Sequence, residues 1–127
     1  MKEKLIDLLN NSYSPYSKFR VAAIVVMKDG SWFNGVNVEN ASFGATICAE
    51  RVAITSAVAK GYKKKDFDSI YVMCDSEKLG TCCFSCRQVI SEFFDGDCLV
   101  TMMTPNGDTL VKTVNELCPY PFNEDNL

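Results

Sequence analysis

Two short stretches of this sequence contain the side chains best suited to chemistry. Residues 47–51 read Ile-Cys-Ala-Glu-Arg, and residues 83–87 read Cys-Phe-Ser-Cys-Arg. Apolar residues at helical spacing follow both stretches, which predicts two helices that begin there. Because side chains tilt back toward the N-terminus of a helix, Cys48 and Glu50 can both reach a point beyond the first helix end.

If the two helix N-termini face each other, three thiols meet in one metal site, formed by Cys48, Cys83 and Cys86. Glu50 then lies beside an open fourth coordination position. The alternatives are buried thiols or a closed four-sulfur zinc site, for which further cysteines are available at positions 74, 82, 98 and 118. A closed site would leave Glu50 without a role.

The absence of histidine narrows the chemistry further. It excludes Ser-His-Asp and Cys-His catalysis and every zinc site that needs imidazole. Proton transfer must therefore fall to a carboxylate, a cysteine, a tyrosine, a lysine or a metal-bound water.

Length and composition predict one domain, residues 1–127, with a sizeable apolar core. No apolar run reaches membrane-spanning length, and no signal peptide precedes the amphipathic start, so we expect no membrane partner. Seven cysteines without an export signal predict a reducing, cytoplasmic location. The net charge of −3 and the lack of an arginine-rich arm argue against nucleic acid as a partner.

Hydrophobic patterning predicts alternating helices and strands. A helix is expected at residues 2–13, and the helix of the second cysteine stretch is expected to include Phe93 and Phe94. Strands are expected at 21–27, 32–36, 69–74, 98–103 and 109–114. We therefore predict an α/β fold, a three-layer α/β/α sandwich with a mixed sheet of about five strands.

Four segments make the sequence similar to a known family. They are Ser-Pro-Tyr-Ser-Lys-Phe at 14–19, Gly-Val-Asn-Val-Glu-Asn-Ala-Ser at 35–42, Ile-Cys-Ala-Glu-Arg at 47–51 and Cys-Arg-Gln-Val-Ile at 86–90. Together they resemble the small homotetrameric zinc-dependent cytidine deaminases, and the resemblance covers most of the chain. It implies their fold, one Zn²⁺ per subunit, and hydrolytic deamination of cytidine and 2′-deoxycytidine in pyrimidine salvage. It also implies a cytoplasmic homotetramer that binds a small-molecule nucleoside.

The resemblance and physical chemistry agree on the reaction centre. Zinc with three protein ligands lowers the pKa of a water at its fourth position toward ~7, so that hydroxide can attack carbon 4 of cytosine. Glu50 is expected to take the water's proton, deliver it to the ring nitrogen and protonate the leaving ammonia. Three thiolates around a dication leave net negative charge, which Arg51 is expected to offset. Arg87 is a second candidate for that role, the alternative being a surface arginine.

Substrate contacts are expected in the loops. The resemblance implies that Asn37 and Glu39 hold the ribose 3′-hydroxyl, that Phe19 packs on the base, and that backbone groups around Ala49 meet the pyrimidine edge. The negative charge of Glu39 should also disfavour a substrate phosphate. The alternatives are loop capping for Asn37 and Glu39 and core packing for Phe19.

Two further aromatic residues suggest assembly. Phe43 stands where relatives commonly have a tyrosine, and Phe122 lies in a Leu-Cys-Pro-x-x-Phe tail. By resemblance, both would reach the substrate site of a neighbouring subunit. The alternative is a monomer with Phe122 on its own surface.

The sequence departs from the family in its second cysteine stretch. Relatives read Pro-Cys-Gly-x-Cys, whereas residues 82–86 read Cys-Cys-Phe-Ser-Cys. The change bears on the loop's backbone path and on its carbonyl contacts to the substrate amino group. Cys83 and Cys86 are three residues apart, on one side of a helical turn, so we predict that Cys83 binds zinc and Cys82 is a packed thiol.

Two other functions fit parts of this pattern. One is a deaminase of another aminopyrimidine nucleoside, such as blasticidin S, and the other is a non-catalytic zinc-stabilised module. The Asn-Val-Glu-Asn stretch at 37–40 favours a ribose-containing substrate.

Overall fold

The computed structural model describes residues 1–127 and has one mixed sheet of five strands with helices on both sides. The elements are α1 (Lys2–Leu9), β1 (Val21–Met27), β2 (Trp32–Val36), α2 (Ala49–Lys60), β3 (Phe67–Cys74), α3 (Phe84–Phe93), β4 (Phe94–Met103), β5 (Thr109–Thr113) and α4 (Val114–Leu117). Short 3-10 helices lie at Phe43–Ala45 and Glu124–Asn126. None of the helices is long and apolar enough to cross a membrane.

The strand order is β2-β1-β3-β4-β5, and β3–β4 is the one parallel pair. β1 and β2 form a hairpin whose turn contains Gly30 at a φ of +89°, a left-handed conformation that glycine adopts without strain. Because β3 and β4 are parallel, the chain must cross over between them. This connection contains residues 75–83 and α3. The second cysteine stretch therefore lies near the carboxyl end of β3.

The two faces of the sheet pack against different helices. α2, α3 and α4 cover one face, where their apolar residues join Val25, Ile70 and Val100 in the larger core. α1 packs on the opposite face through Leu5 and Leu9, which are both buried. Alternate residues of the central strands β1 and β3 belong to the two cores, as expected for a sheet covered on both sides. The predicted three-layer α/β/α sandwich is confirmed.

The first helix is shorter than predicted, because Tyr13, which follows it, forms backbone hydrogen bonds with a distant segment. It ends at Leu9, and Tyr13 forms a parallel bridge with Val38. Tyr13 N donates to Asn37 O at 3.0 Å, and Glu39 N donates to Tyr13 O at 2.8 Å. The prediction of helix over residues 10–13 is therefore wrong: helical propensity there is too weak to compete with these bonds.

Gly35 in β2 lets the sheet approach the start of α2 closely. A Cβ atom at this position would lie 2.2 Å from the Ala49 carbonyl oxygen and 2.5 Å from the Ala53 nitrogen, far inside van der Waals contact. At the other end of α2, Gly61 caps the helix with a φ of +112°. The close approach at Gly35 orients the first turn of α2, which contains Glu50.

Candidate active site

Two of the predicted ligands occupy equivalent places at helix N-termini. Cys48 is the N-cap residue of α2 and Cys83 is the N-cap residue of α3, and both have extended backbone angles. Cys86 lies in the first turn of α3, where its backbone N–H donates a 3.5 Å hydrogen bond to the Cys83 sulfur. The positive ends of both helix dipoles lie near the thiols, which favours their ionised form.

The three sulfur atoms of Cys48, Cys83 and Cys86 lie within 4.8 Å of one another. The distance between the Cys48 and Cys83 sulfurs is 3.8 Å. A tetrahedral zinc ion with Zn–S bonds of about 2.3 Å separates its sulfur ligands by about 3.8 Å, so the cluster fits this ion. An all-thiolate donor set also suits zinc far better than magnesium or calcium. Three ligands leave a fourth coordination position open.

The positive charge of Arg51 lies beside this cluster. Its Nη2 donates a 3.3 Å hydrogen bond to the Cys48 sulfur, and its guanidinium forms no ion pair with a carboxylate. The pKa of Cys48 is lowered to about 5, first because the Cys86 thiol hydrogen-bonds to its sulfur and then because Arg51 does. The pKa of Cys86 is raised, since its thiol is the donor in that bond and is buried. Metal binding would displace the remaining thiol protons.

Glu50 is a buried carboxyl group next to these thiols. It lies at the second position of α2 with 4% of its surface exposed. Burial raises its pKa, because the ionised carboxylate loses hydration, and the negative Cys48 sulfur raises it further. A carboxyl group with a pKa nearer to neutrality can both accept and donate a proton, which is the property predicted of Glu50.

The two adjacent cysteines of the second stretch have different surroundings. Cys83 is exposed and belongs to the three-sulfur cluster, whereas Cys82 is 3% exposed and packs in the larger core. Burial raises the pKa of the Cys82 thiol, and the negative charge of Glu50 raises it further. Zinc binds thiolates rather than thiols. These surroundings favour Cys83 over Cys82 as the zinc ligand, in agreement with the prediction from the spacing of Cys83 and Cys86.

A cavity of about 190 Å³ lies next to the cluster. The predicted site residues that line it are Phe19, Asn37, Cys48, Ala49, Glu50 and Cys83. The lining residues that sequence reasoning missed are Val21, Thr46, Val72, Cys74, Gly80 and Thr81. Cys74 is the last residue of β3, and Gly80 and Thr81 lie in the connection that follows it. Ligand sites in α/β sheets commonly lie at the carboxyl ends of parallel strands, so this position in the chain could have identified the three residues. A larger open depression of about 360 Å³ beside Lys18 contains none of the predicted residues.

Asn37 is buried and joins three segments around the cavity. Its Oδ1 accepts hydrogen bonds from the Val21 backbone N–H, at 2.9 Å, and from the Ser12 hydroxyl. Its Nδ2 donates to the Phe19 carbonyl at 2.8 Å. An amide nitrogen has two N–H donors, so one donor of Asn37 has no partner in the chain.

Glu39 is also buried and caps the turn at residues 15–18. Its Oε1 accepts the backbone N–H groups of Tyr16 and Ser17, both at 3.1 Å, and its Oε2 accepts the Ser17 hydroxyl. The Ser17 hydroxyl bond lowers the pKa of Glu39. Glu39 does not line the cavity. Loop capping therefore describes its contacts within the chain, and its ribose contact stays a prediction.

The chain matches, over residues 1–102, the family model described as the cytidine and deoxycytidylate deaminase zinc-binding region. It belongs to this family. A cytidine deaminase of Halalkalibacterium halodurans is 38% identical over 98% of this chain and 93% of that protein. The crystal structure of a cytidine deaminase from Burkholderia pseudomallei matches with a TM-score of 0.90 and 38% identity over 94% of both chains. A blasticidin-S deaminase of Bacillus cereus is more distant, at 32% identity over 86% of this chain and 81% of that protein.

Membership of this deaminase family confirms the predicted zinc cofactor and the resemblance seen in the sequence. The family match includes the three cysteines of the cluster, whose sulfur spacing fits zinc. The identity of each ligand and the role of each surrounding residue stay predictions.

Three aromatic side chains singled out by the deaminase resemblance are exposed on this chain. Phe19 is 42% exposed and lines the cavity, so core packing does not describe it. Phe43 is 73% exposed and meets Tyr16 edge to face, with 6.5 Å between ring centroids. Phe122 is 57% exposed although its backbone is hydrogen-bonded to the Gln88 side chain. Contacts of Phe43 and Phe122 with a neighbouring subunit stay predictions.

Arg87, the second candidate for charge compensation, makes no hydrogen bond to sulfur. Its three donor nitrogens bind the Cys82 carbonyl, the Leu117 carbonyl and the Thr81 hydroxyl. The loop that departs from the deaminase pattern is thus held by a side chain from the helix that follows it.

Proposed function

We propose that this chain is a zinc-dependent enzyme that hydrolyses cytidine and 2′-deoxycytidine to uridine and 2′-deoxyuridine with release of ammonia. The observation that supports this most directly is Glu50, a buried carboxyl group that lies beside the three-sulfur cluster and lines the cavity. A zinc-stabilised module without activity would have no use for this group. Burying a carboxyl group is costly, and Glu50 does not cap a loop as Glu39 does, which favours a chemical role for it.

The residues proposed to hold zinc are Cys48, Cys83 and Cys86. When bound with an open coordination position, the ion supplies an activated water molecule. Glu50 takes a proton from the attacking water and delivers it to N3 of the cytosine ring. After the oxygen has bonded to C4, Glu50 moves the hydroxyl proton to the amino nitrogen, which leaves C4 as ammonia. One carboxyl group serves both steps because proton uptake and release alternate.

The groups around the reacting atoms are proposed to balance charge and orient the base. Arg51, hydrogen-bonded to Cys48, offsets the net negative charge of three thiolates on a dication. The first backbone N–H groups of α2 have no partner within the helix, and Ala49 lines the cavity. These N–H groups would therefore bind the pyrimidine edge, while the half-exposed ring of Phe19 packs on the base.

The ribose is proposed to bind at Asn37 and Glu39. A carboxylate offers about four acceptor sites, and hydrogen bonds to the turn occupy three of those of Glu39. The remaining site can accept a hydroxyl proton, and the unpaired N–H of Asn37 can donate to the same hydroxyl. This pair suits the 3′-hydroxyl, which both donates and accepts. The negative charge of Glu39 disfavours a nucleoside phosphate.

The active form is proposed to be a cytoplasmic homotetramer of single-domain subunits that acts in pyrimidine salvage. The cavity of about 190 Å³ is smaller than the ~300–1,000 Å³ of typical ligand sites, which supports a site that a neighbouring chain completes. The exposed rings of Phe43 and Phe122 would complete the site of a neighbouring subunit. Sedimentation that shows a fully active monomer at assay concentration would refute this assembly.

The test is an ultraviolet assay of cytidine loss, with zinc analysis of the same sample. We expect one zinc per chain and faster turnover of cytidine than of blasticidin S or cytidine 5′-monophosphate. Glu92→Gln is a matched control, because Glu92 is exposed on α3 and pairs only with Lys64. A zinc-loaded protein that leaves cytidine unchanged would refute the proposal, and preference for blasticidin S would favour the alternative substrate.

A further inference from the structure

We propose that Arg87 is a positioning residue. Together with the ring of Phe84, it holds residues 80–83 in the conformation that lines the substrate cavity and places Cys83 in the zinc site. This inference deepens the proposed function and rests on it. It assigns Arg87 a role other than compensation of thiolate charge, and it gives Phe84 a role in this chain.

The planar guanidinium of Arg87 binds three acceptors that lie in two separate segments. Nε donates to the Cys82 carbonyl at 2.7 Å, and Nη2 donates to the Thr81 hydroxyl at 3.1 Å. Nη1 donates to the carbonyl of Leu117, the last residue of α4, at 3.1 Å. A guanidinium presents its donors in a rigid fork, so one side chain can fix the relative positions of all three acceptors.

The backbone of residues 80–82 has no other tether of this kind. The bond from Arg87 to the Cys82 carbonyl is the one protein hydrogen bond that this backbone makes. The segment has no regular secondary structure, and regular hydrogen bonding resumes only when Arg87 N donates to the Cys83 carbonyl at the start of α3. Removing the Arg87 side chain would therefore loosen the backbone of this segment without breaking a helix or strand, although the Cys82 side chain stays packed in the core.

Phe84 completes the arrangement from the solvent side. Its ring centroid is 4.4 Å from the Arg87 guanidinium carbon, although the side chain is 75% exposed. This is close enough for a cation–π interaction. The contact with the Phe84 ring restrains the Arg87 side chain, which extends from α3 to residues 81 and 82.

The tethered segment serves two parts of the site. Gly80, Thr81 and Cys83 line the cavity, and Cys83 is a member of the three-sulfur cluster. A segment that shifts would therefore weaken substrate binding and shorten the residence of zinc. Glu50 lies on α2, outside the segment, so proton transfer would be affected less.

The test compares Arg87→Gln with wild-type holoenzyme well below its melting temperature, using KM and kcat for cytidine and the rate of zinc transfer to a chelator. We expect KM and the zinc release rate to rise about tenfold, since one hydrogen bond from a charged donor contributes at least this factor. We expect kcat to change by less than about threefold, because Glu50 stays in place. Lys64→Gln is the matched control, as Lys64 lies exposed beside α3, paired with Glu92.

Phe84→Ala is the second variant, because an exposed ring can be removed without threatening the fold. Loss of an exposed cation–π contact predicts a rise in KM and in zinc release of about two- to fivefold. Unchanged KM and zinc release in Arg87→Gln, with only a lower melting temperature, would overturn the proposal. The chelator measurement needs no turnover, so faster zinc release from Arg87→Gln would support the tether even if wild-type protein did not deaminate cytidine.

Discussion

The adjacent cysteines at 82 and 83 allow a sharp test of how the metal site is built. Replacing Cys83 with alanine removes one of three proposed ligands, whereas replacing Cys82 removes a core sulfur. A zinc site worth about 10–16 kcal/mol loses about 3–5 kcal/mol with a third of its ligands, which weakens zinc affinity about 10²–10⁴-fold. Cys83→Ala should therefore lose zinc on dialysis against a chelator, together with its activity.

Cys82→Ala should instead keep one zinc per chain and most of its activity. The side chain is 3% exposed, so its loss leaves a cavity in the core. A cavity of about 25 Å³ costs about 0.6 kcal/mol, and the lost burial adds about 0.8 kcal/mol. For a chain of this length the melting temperature should fall by about 4–6 °C. Metal analysis and calorimetry of both variants provide the measurement. If Cys82→Ala loses zinc and Cys83→Ala retains it, the ligand assignment is wrong by one residue.

Other perturbations test other parts of the site. Glu50→Gln should lower kcat by about 10²–10⁴-fold while zinc content is unchanged, and near-normal turnover would contradict the proton-transfer role. Arg51→Gln should weaken zinc binding in chelator competition, because the thiolates lose their neighbouring positive charge; equal affinity would exclude charge compensation. Glu39 has a folded-state pKa below its unfolded value of about 4.3, so its stabilising effect is present above that pH and is lost as pH falls through the lower folded-state value. Glu39→Gln should accordingly lower the melting temperature more at pH 7 than at pH 3, and equal losses would contradict this linkage. Gly35→Ala should destabilise the fold by about 1–3 kcal/mol in urea unfolding, because its Cβ overlaps the backbone of α2; an unchanged midpoint would show that α2 can move away freely.

Local patterns in the sequence were sufficient for much of the secondary structure. β1 and β2 have the predicted bounds, because an apolar run, a turn with Gly30 and a second strand are all local signals. The errors lie where distant segments compete. Tyr13, predicted to be helical, instead forms a bridge with Val38. Phe94 was expected in a helix but begins β4, where its ring lies 5.1 Å from that of Phe67.

By itself, the sequence determined the chemical class of the site. The lack of histidine excludes imidazole as a metal ligand or a catalytic base. Cys83 and Cys86, three residues apart at the start of a helix, place two sulfur atoms on the same side of one helical turn. The spacing of side chains within one helical turn depends on backbone geometry alone, so a pattern of residue types is enough to predict it.

Only the tertiary structure decided which distant groups meet. Cys48 and Cys83 are far apart in sequence, and their sulfurs lie 3.8 Å apart because α2 and α3 pack on the same face of the sheet. From the sequence, Glu39 and Arg87 each have several chemically reasonable partners. In the fold, both side chains bind backbone groups of loops, and these groups have no partner in a helix or strand. Buried polar groups need hydrogen-bond partners. Which backbone groups find none within helices and strands, and so need a side chain as partner, is known only once the strands have been arranged.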